Sequence, residues 1–181
     1  MARSLKKLIA AVFCLVLLFE LSSCSVNTKS AEQTGFSMGS LVGIKLYGKN
    51  SEALENANLL AEVVKTDERI SKNYEGSDIY RVNSSGEHGE TVSSETYDEL
   101  RTVCDVYSES HGKAAVLSGA LTELWGFDTD EFRLPSEDEI LSAKEKCGDD
   151  KLIFDDGKKV YIPDGAKLNL GSAGKGIALD V

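Results

Sequence analysis

Apolar and polar positions along this chain fall into a few distinct periods. Leu8 to Phe19 is an unbroken apolar run of 12 residues, too short to cross a bilayer comfortably. Phe36, Met38, Val42, Ile44 and Leu46 all occupy even positions. This period of two predicts a strand or hairpin through about Tyr47, with Gly39-Ser40 interrupting it as a bulge. Helical spacing follows: Ala53, Leu54, Ala57, Leu60, Ala61 and Val64 share one face of a helix capped at Asn50 or Ser51 and running to about Ile70. Ser71 to Asp78 is a polar loop, Asp78–Asn83 a short helical turn and Ser84–Gly89 a second loop. A further helix starts at Ser94, with Tyr97, Leu100, Val103, Cys104 and Tyr107 as its buried stripe.

Small residues then dominate Lys113–Ala120 and lead into Leu121–Phe127, where the single tryptophan, Trp125, is read as core packing. Ser136 with Glu139 three residues on forms a capping box for a helix ending at Gly148. Leu152-Ile153-Phe154 and Val160-Tyr161-Ile162 flank Asp155-Asp156-Gly157-Lys158, a hairpin signature. Leu168 and Leu170 alternate as in a short strand. Glycines 171, 174 and 176 follow, and Ile177, Ala178, Leu179 and Val181 read as the first turn of a buried helix. Strands and helices in mixed order, with hairpins, predict an α+β fold with a mixed or antiparallel sheet and packed helices.

The basic residues Arg3, Lys6 and Lys7 precede the first apolar run, and Leu21-Ser22-Ser23-Cys24 follows it. The order resembles a bacterial lipoprotein signal. Residues 1–24 are then the signal peptide, with Cys24 lipidated, and residues 25–35 a polar tether. The formal net charge is −10. Losing Arg3, Lys6, Lys7 and Glu20 with the signal takes it to −12. An acidic domain without a basic patch is a poor fit for nucleic acid, so attachment to the membrane would rest on the lipid itself.

Cys14 leaves with the signal, which leaves Cys104 and Cys147 in the mature chain. They match no zinc spacing. A buried free thiol at Cys104 and a disulfide between the two remain alternatives.

Candidate chemistry is sparse. Neither His88 nor His111 stands in a nucleophile motif, which leaves a hydrolase triad unsupported. Most acidic residues fall on polar helix faces. The glycine loop at 171–176 combines backbone N–H groups with a helix start, an arrangement that suits an anion. Lys175 within it is the best single contact for a phosphate. The loop matches neither GxGxxG nor GxxxxGK[ST], and by itself it assigns nothing.

Four segments taken together are more specific. Gly35-Phe36-Ser37-Met38-Gly39-Ser40 resembles the Met-Gly-Thr opening strand of the ApbE family, the FAD:protein FMN transferases. Ser71–Asn83 resembles the family's loop ending in Asp-Ser-x-(Leu/Ile)-x-x-x-Asn. Leu121–Phe127 with Pro135-Ser136 resembles its Leu-x-x-Leu-Trp-Gly-Phe … Pro-(Ser/Thr) element. Asn169–Asp180 resembles its Asp-Leu-Gly-Gly-Ile-Ala-Lys-Gly-Tyr-Ala-x-Asp segment. The resemblance covers residues 36–181.

The resemblance implies an enzyme that takes FAD as substrate with Mg²⁺ and moves FMN to a Thr or Ser of a target flavoprotein, releasing AMP. Targets would be subunits such as those of Rnf- and Nqr-type complexes. It also implies a lipid-anchored location on the extracytoplasmic face of the cell membrane. Position by position, Met38 would touch FAD and Asn73 would sit in a loop closing over it. Lys113, Ala114 and Ala115 fall on the flavin-binding segment, Asn169 and Lys175 would be FAD contacts, and Ser172 a metal-ligand position. No catalytic residue is assigned.

Departures are visible. Ala114-Ala115 replaces Phe-Asp, Leu117 stands where Thr is common, and Asn169 replaces Asp. The family's His-x-(Ile/Leu)-(Asp/Asn)-Pro-x-Thr-Gly segment and late Asp/Thr metal ligands are not in the sequence. A truncated or degenerate member with weak metal affinity and no transferase activity is therefore expected. A non-catalytic flavin- or partner-binding lipoprotein is the alternative.

Overall fold

The computed structural model describes residues 29–48, 58–127 and 129–180. The signal segment, Cys24, the expected cap at Asn50 or Ser51, and Ala53, Leu54 and Ala57 lie outside the described residues. The chain divides into two compact units, residues 1–33 with 44–57 and residues 34–43 with 58–181. Among the described residues no helix is long and apolar enough to cross a membrane.

Strands β1 (Lys29–Ser37) and β2 (Ser40–Gly48) pair as a two-stranded sheet. Residues 29–35, expected as part of a tether, are thus in a strand. Their polar composition does not forbid this, because the backbone of β2 supplies the hydrogen bonds. Met38 and Gly39 form the turn, both with positive φ, 52° and 67°. That is the signature of a tight hairpin turn whose twist matches the strands. It replaces the expected bulge.

A two-residue turn also reverses parity. Val42, Ile44 and Leu46 keep the more covered face of β2. On β1 the covered positions are odd, with Ser37 buried, and Phe36 is 75% exposed. Phe36 therefore lies on the opposite face from the one its even number suggested. In the first unit Lys45 pairs with Glu32 at 3.7 Å.

In the second unit, helix α1 (Leu59–Ile70) begins after Asn58, whose φ of 42° is left-handed. Its buried face is centred on Val63, Thr66 and Ile70, with Leu60, Ala61 and Val64 half-buried. The most covered stripe is therefore displaced from the expected one, with Val63, Thr66 and Ile70 innermost. Helix α2 (Asp78–Ser85) is capped by Ser77, whose hydroxyl accepts from the Tyr80 N–H. Strand β3 (Glu90–Thr91) leads to α3 (Ser94–Glu109), capped by Ser93.

Helix α4 (Gly119–Trp125) is followed by α5 (Glu137–Lys144), where the capping box of Ser136 and Glu139 is present. Helix α5 stops at Lys144, before Gly148. Strands β4 (Ile153–Phe154) and β5 (Lys159–Tyr161) form the expected hairpin, and β5 also pairs with β3, giving an antiparallel order β3-β5-β4. Asp155 accepts from the Gly157 and Lys159 N–H groups, both at 2.9 Å, and so closes the turn. The α+β class with small antiparallel sheets is as the pattern predicts.

The core gathers Ile79, Val82, Leu100, Leu117, Val160 and Leu168, all fully buried. Burying side chains of this size stabilises each by about 1.5–3 kcal/mol. A polar layer ties three helices together beside it. The Arg69 guanidinium donates to both Glu99 carboxylate oxygens at 2.6 Å and to the Thr96 hydroxyl at 2.7 Å. Asp78 accepts from the Ser93 N–H at 3.1 Å, the Ser93 hydroxyl at 2.6 Å and Arg81 at 2.5 Å. Burial pushes the Asp78 carboxyl up, but these donors outweigh it and hold it below its ordinary value.

Cys104 and Cys147 are both free and half-buried. Burial, helped by the neighbouring Asp149 charge, pushes the Cys104 thiol up to about 11. Burial raises Cys147 as well. Neither is a nucleophile near neutral pH. Trp125 is half-buried and stacks on Phe127 with ring centres 5.9 Å apart, in place of a core position.

Candidate functional site

A cleft of about 290 Å³ opens in the second unit. Its walls come from four places in the sequence. The hairpin tip contributes Met38 and Gly39. The end of α1 contributes Asp67 and Ile70, and the following loop contributes Ser71, Lys72 and Asn73. The glycine loop contributes Asn169, Leu170, Gly171, Gly174 and Lys175. Four of the residues expected to contact a dinucleotide, Met38, Asn73, Asn169 and Lys175, are therefore brought together. They are separated by up to 137 positions in sequence, and only the fold makes them neighbours.

Each wall has a local cause. Met38 is held at a φ that costs a non-glycine residue about 1 kcal/mol or more. Its N–H donates to the Asp67 carboxylate at 2.6 Å, and the Ser37 hydroxyl donates to the same oxygen at 3.0 Å. The Ser71–Ser77 loop is closed by the Ser77 hydroxyl, which donates to the Ser71 carbonyl, and by the Ser77 N–H on the Tyr74 carbonyl at 2.9 Å. Asn73 stands exposed on this loop.

The expected strand at Leu168 is an extended segment outside the sheets. Its partners are the backbone of Val116 and Gly119, at the entry to α4, and a side chain. The Gly119 N–H donates to the Lys167 carbonyl and the Asn169 N–H to the Val116 carbonyl, both at 2.8 Å. On its other side Asn83 acts as a one-residue strand. Its amide donates to the Leu168 carbonyl at 2.9 Å and accepts from the Leu168 N–H at 2.7 Å. Lys167 returns a bond to the Asn83 carbonyl at 2.7 Å.

Asn169 then builds the turn itself. Its side-chain oxygen accepts from the Gly171 N–H at 3.0 Å and its NH₂ donates to the Thr122 hydroxyl at 3.1 Å. Thr122 in turn donates to the Gly119 carbonyl at 2.9 Å. The hydroxyl proton is thereby committed, so an aspartate at 169 would set acceptor against acceptor. Asparagine, the departure from the family pattern, suits this neighbourhood. After it come the turn Leu170–Ser172 and the one-turn helix α6 (Gly174–Ile177).

Behind this segment lies Asp149, buried at 2% exposure. Its carboxylate accepts from the Val116 N–H at 3.0 Å and the Leu117 N–H at 2.6 Å. Burial pushes its pKa up, and the two amide donors only partly oppose that.

Lys113, Ala114, Ala115 and Ser172 are not among the residues lining the cleft. Lys113 and Ala114 are exposed, Ala115 is half-buried, and Ser172 is exposed on the turn after the extended segment. Among the described residues no group of three or more His, Cys, Asp or Glu side chains is placed to hold a metal ion. Ser172 would supply one oxygen of the roughly six that Mg²⁺ demands, so the donor set for that ion is not assembled by these residues.

Asp67, Asn83 and Asp149 hold the site without being candidate contacts in the sequence pattern. Asn83 ends a segment already noted for its resemblance, which was a usable signal. Asp67 sits among charged neighbours on α1, and Asp149 in a run of two aspartates. Neither carries a local mark of its partner.

The chain matches the sequence model of the ApbE family over residues 38–181 and belongs to that family. Solved structures share the fold. Against the ApbE protein of Thermotoga maritima the TM-score is 0.78 at 29% identity, covering 84% of this chain and 50% of that one. The flavinyl transferase ApbE of Pseudomonas stutzeri, in its apo form, gives 0.72 at 24% identity, covering 84% and 51%. The flavin transferase ApbE of Vibrio cholerae gives 0.71 at 21% identity, covering 84% and 52%. The chain thus spans about half the length of the solved structures it matches. No curated protein matches it.

Proposed function

We propose that this chain carries the flavin-nucleotide cleft of an FAD:protein FMN transferase. The observation that carries the reading is the convergence of Met38, Asn73, Asn169 and Lys175 on one cleft. Its chemistry fits a flavin nucleotide. Met38, Ile70 and Leu170 offer apolar surface to a ring, while Lys175 and the glycine backbone at 171 and 174 offer positive charge and close approach to phosphate. Its volume suits one end of a dinucleotide rather than the whole.

In the proposed reaction the hydroxyl oxygen of a Thr or Ser on the target attacks the FMN-side phosphorus of FAD. The bond from that phosphorus to the oxygen of the AMP half breaks, AMP leaves, and the hydroxyl proton passes to solvent or a base. The residues described here bind and orient. Lys175 offsets phosphate charge, and the hairpin tip and the Ser71–Asn73 loop wall the ring. Mg²⁺, where it acts, would screen the pyrophosphate. Its ligands beyond Ser172 are not among these residues. We further propose lipid attachment at Cys24 on the extracytoplasmic face and a target flavoprotein subunit of the Rnf or Nqr type as acceptor.

Titration of the purified chain with FAD tests the cleft. Flavin fluorescence should change saturably, and an unchanged signal at high protein concentration would remove the reading. Mass spectrometry of a Ser/Thr target peptide incubated with the chain, FAD and Mg²⁺ tests the transfer. No FMN adduct is expected from this chain by itself, because no metal donor set is assembled among the described residues.

A further inference from the structure

We propose that Asp67 is a positioning residue that sets the hairpin tip as a wall of the cleft. The inference rests on the reading of the cleft as a flavin-nucleotide site. It deepens that reading by naming a residue outside the set the family pattern points to.

Three observations carry it. Met38 and Gly39 both have positive φ, and only Gly39 is a residue that adopts such a conformation freely. Asn-Gly is the favoured pair for this turn, because asparagine tolerates the left-handed region. Methionine does not, so something outside the hairpin must hold it. The Asp67 carboxylate is that group. One of its oxygens accepts from both the Met38 N–H at 2.6 Å and the Ser37 hydroxyl at 3.0 Å, across about thirty positions of sequence. Finally, Asp67, Met38 and Gly39 all line the cleft, so the clamp lies in the wall it shapes. Position 67 is fixed in turn by the last turns of α1, where Thr66 and Ile70 are buried on either side of it. The rigid element is the helix, and the hairpin tip is the part that is held.

The experiment uses the full chain and two independent readouts. In the ligand-free protein, hydrogen exchange at the Met38 amide is followed by NMR. The amide should be protected in the parent, exchange at least tenfold faster in Asp67→Ala, and stay protected in Asp67→Asn, which keeps an acceptor oxygen. Equal protection in Asp67→Ala overturns the proposal. FAD titration is the second readout. Asp67→Ala should bind about tenfold or more weakly, the scale of losing hydrogen bonds to a charged acceptor.

The same substitution is then made in a Met38→Asn background, where the turn holds itself. There the further loss from Asp67→Ala should shrink to about threefold or less, because the conformational task is gone. A loss of equal size in both backgrounds would mean that Asp67 acts on the ligand directly, and would sink the positioning role. Should Asp67→Ala fail to fold, recovery of folding in the Met38→Asn background supports the proposal, and failure in both backgrounds overturns it. If the parent binds no FAD while the exchange pattern holds, the flavin reading falls and the positioning of the tip stands.

Discussion

Replacing Asp149 by alanine probes the support behind the cleft. The carboxylate is 2% exposed and accepts from two backbone N–H groups, those of Val116 and Leu117. Alanine leaves both donors buried without an acceptor. Bonds to a charged acceptor are worth about 1.5–3 kcal/mol each, and unmet buried donors cost about 1–3 kcal/mol each. Against this, the substitution relieves the desolvation that pushes the carboxyl's pKa up. The net expectation at neutral pH is a loss of about 2–4 kcal/mol.

Urea unfolding reads it. With a slope of about 2 kcal/mol per molar, the midpoint should fall by about 1–2 M with the slope unchanged. The pH dependence adds a sign. The folded pKa lies above the ordinary 3.8, so this group contributes stability at low pH that is lost as pH rises through the folded value. The Asp149→Ala penalty should therefore be larger in the acid limb than at pH 8. A midpoint shift below about 0.3 M, or a penalty that grows with pH, would refute the reasoning. The first would show that water satisfies the two amides. The second would show that the donors outweigh burial.

Three further substitutions follow from the same geometry. Gly119→Ala places a Cβ 2.7 Å from the Lys167 carbonyl oxygen, so calorimetry should show a loss of about 1–3 kcal/mol, the scale of overpacking against backbone that cannot retreat. Asn83→Ala removes both bonds to Leu168; a thermal melt should register about 1–3 kcal/mol, with FAD affinity falling alongside if the Leu168–Gly171 segment sets the cleft. Lys175→Ala should leave the melt within about 0.5 kcal/mol, since the side chain is exposed, yet weaken FAD several-fold and flatten the salt dependence of binding.

What could be read from the sequence and what could not divides by distance along the chain. Ser136 with Glu139 caps a helix a few residues away, and Asp155-Asp156-Gly157-Lys158 turns on itself. Their chemistry is local, so the residues announce it. The face of Phe36 was misread for a related reason. Even spacing holds along one strand, but the two-residue turn at Met38–Gly39 exchanges odd for even between the strands. The order β3-β5-β4 had no local sign either, because β3 and β5 lie some seventy positions apart. In the cleft, Met38, Asn73, Asn169 and Lys175 were legible through resemblance, since they belong to recognisable segments. Of the residues that hold those segments, Asn83 closes a recognisable motif, whereas Asp67 and Asp149 carry no such mark.

That asymmetry has a physical basis. A group that meets a ligand needs a particular chemistry at a particular place, and this leaves a pattern of glycines, a lysine and a methionine within short motifs. A group that holds backbone needs only an acceptor or an amide at the right distance, and Asp67, Asn83 and Asp149 supply that from ordinary helical and loop contexts. All three bond to main-chain N–H groups, so their partners carry no side-chain signature either. These three contacts are among those that keep the cleft's walls in place. Mutational sensitivity of flavin binding should extend to positions that never touch the ligand, with Asp67 acting on the hairpin tip, and Asn83 and Asp149 acting through opposite sides of the Leu168–Asn169 segment. Because Asn83 bonds Leu168 directly while Asp149 acts through Val116, which accepts from the Asn169 N–H, their effects on binding should be non-additive when combined. Strict additivity would mean that the extended segment does not move as one piece.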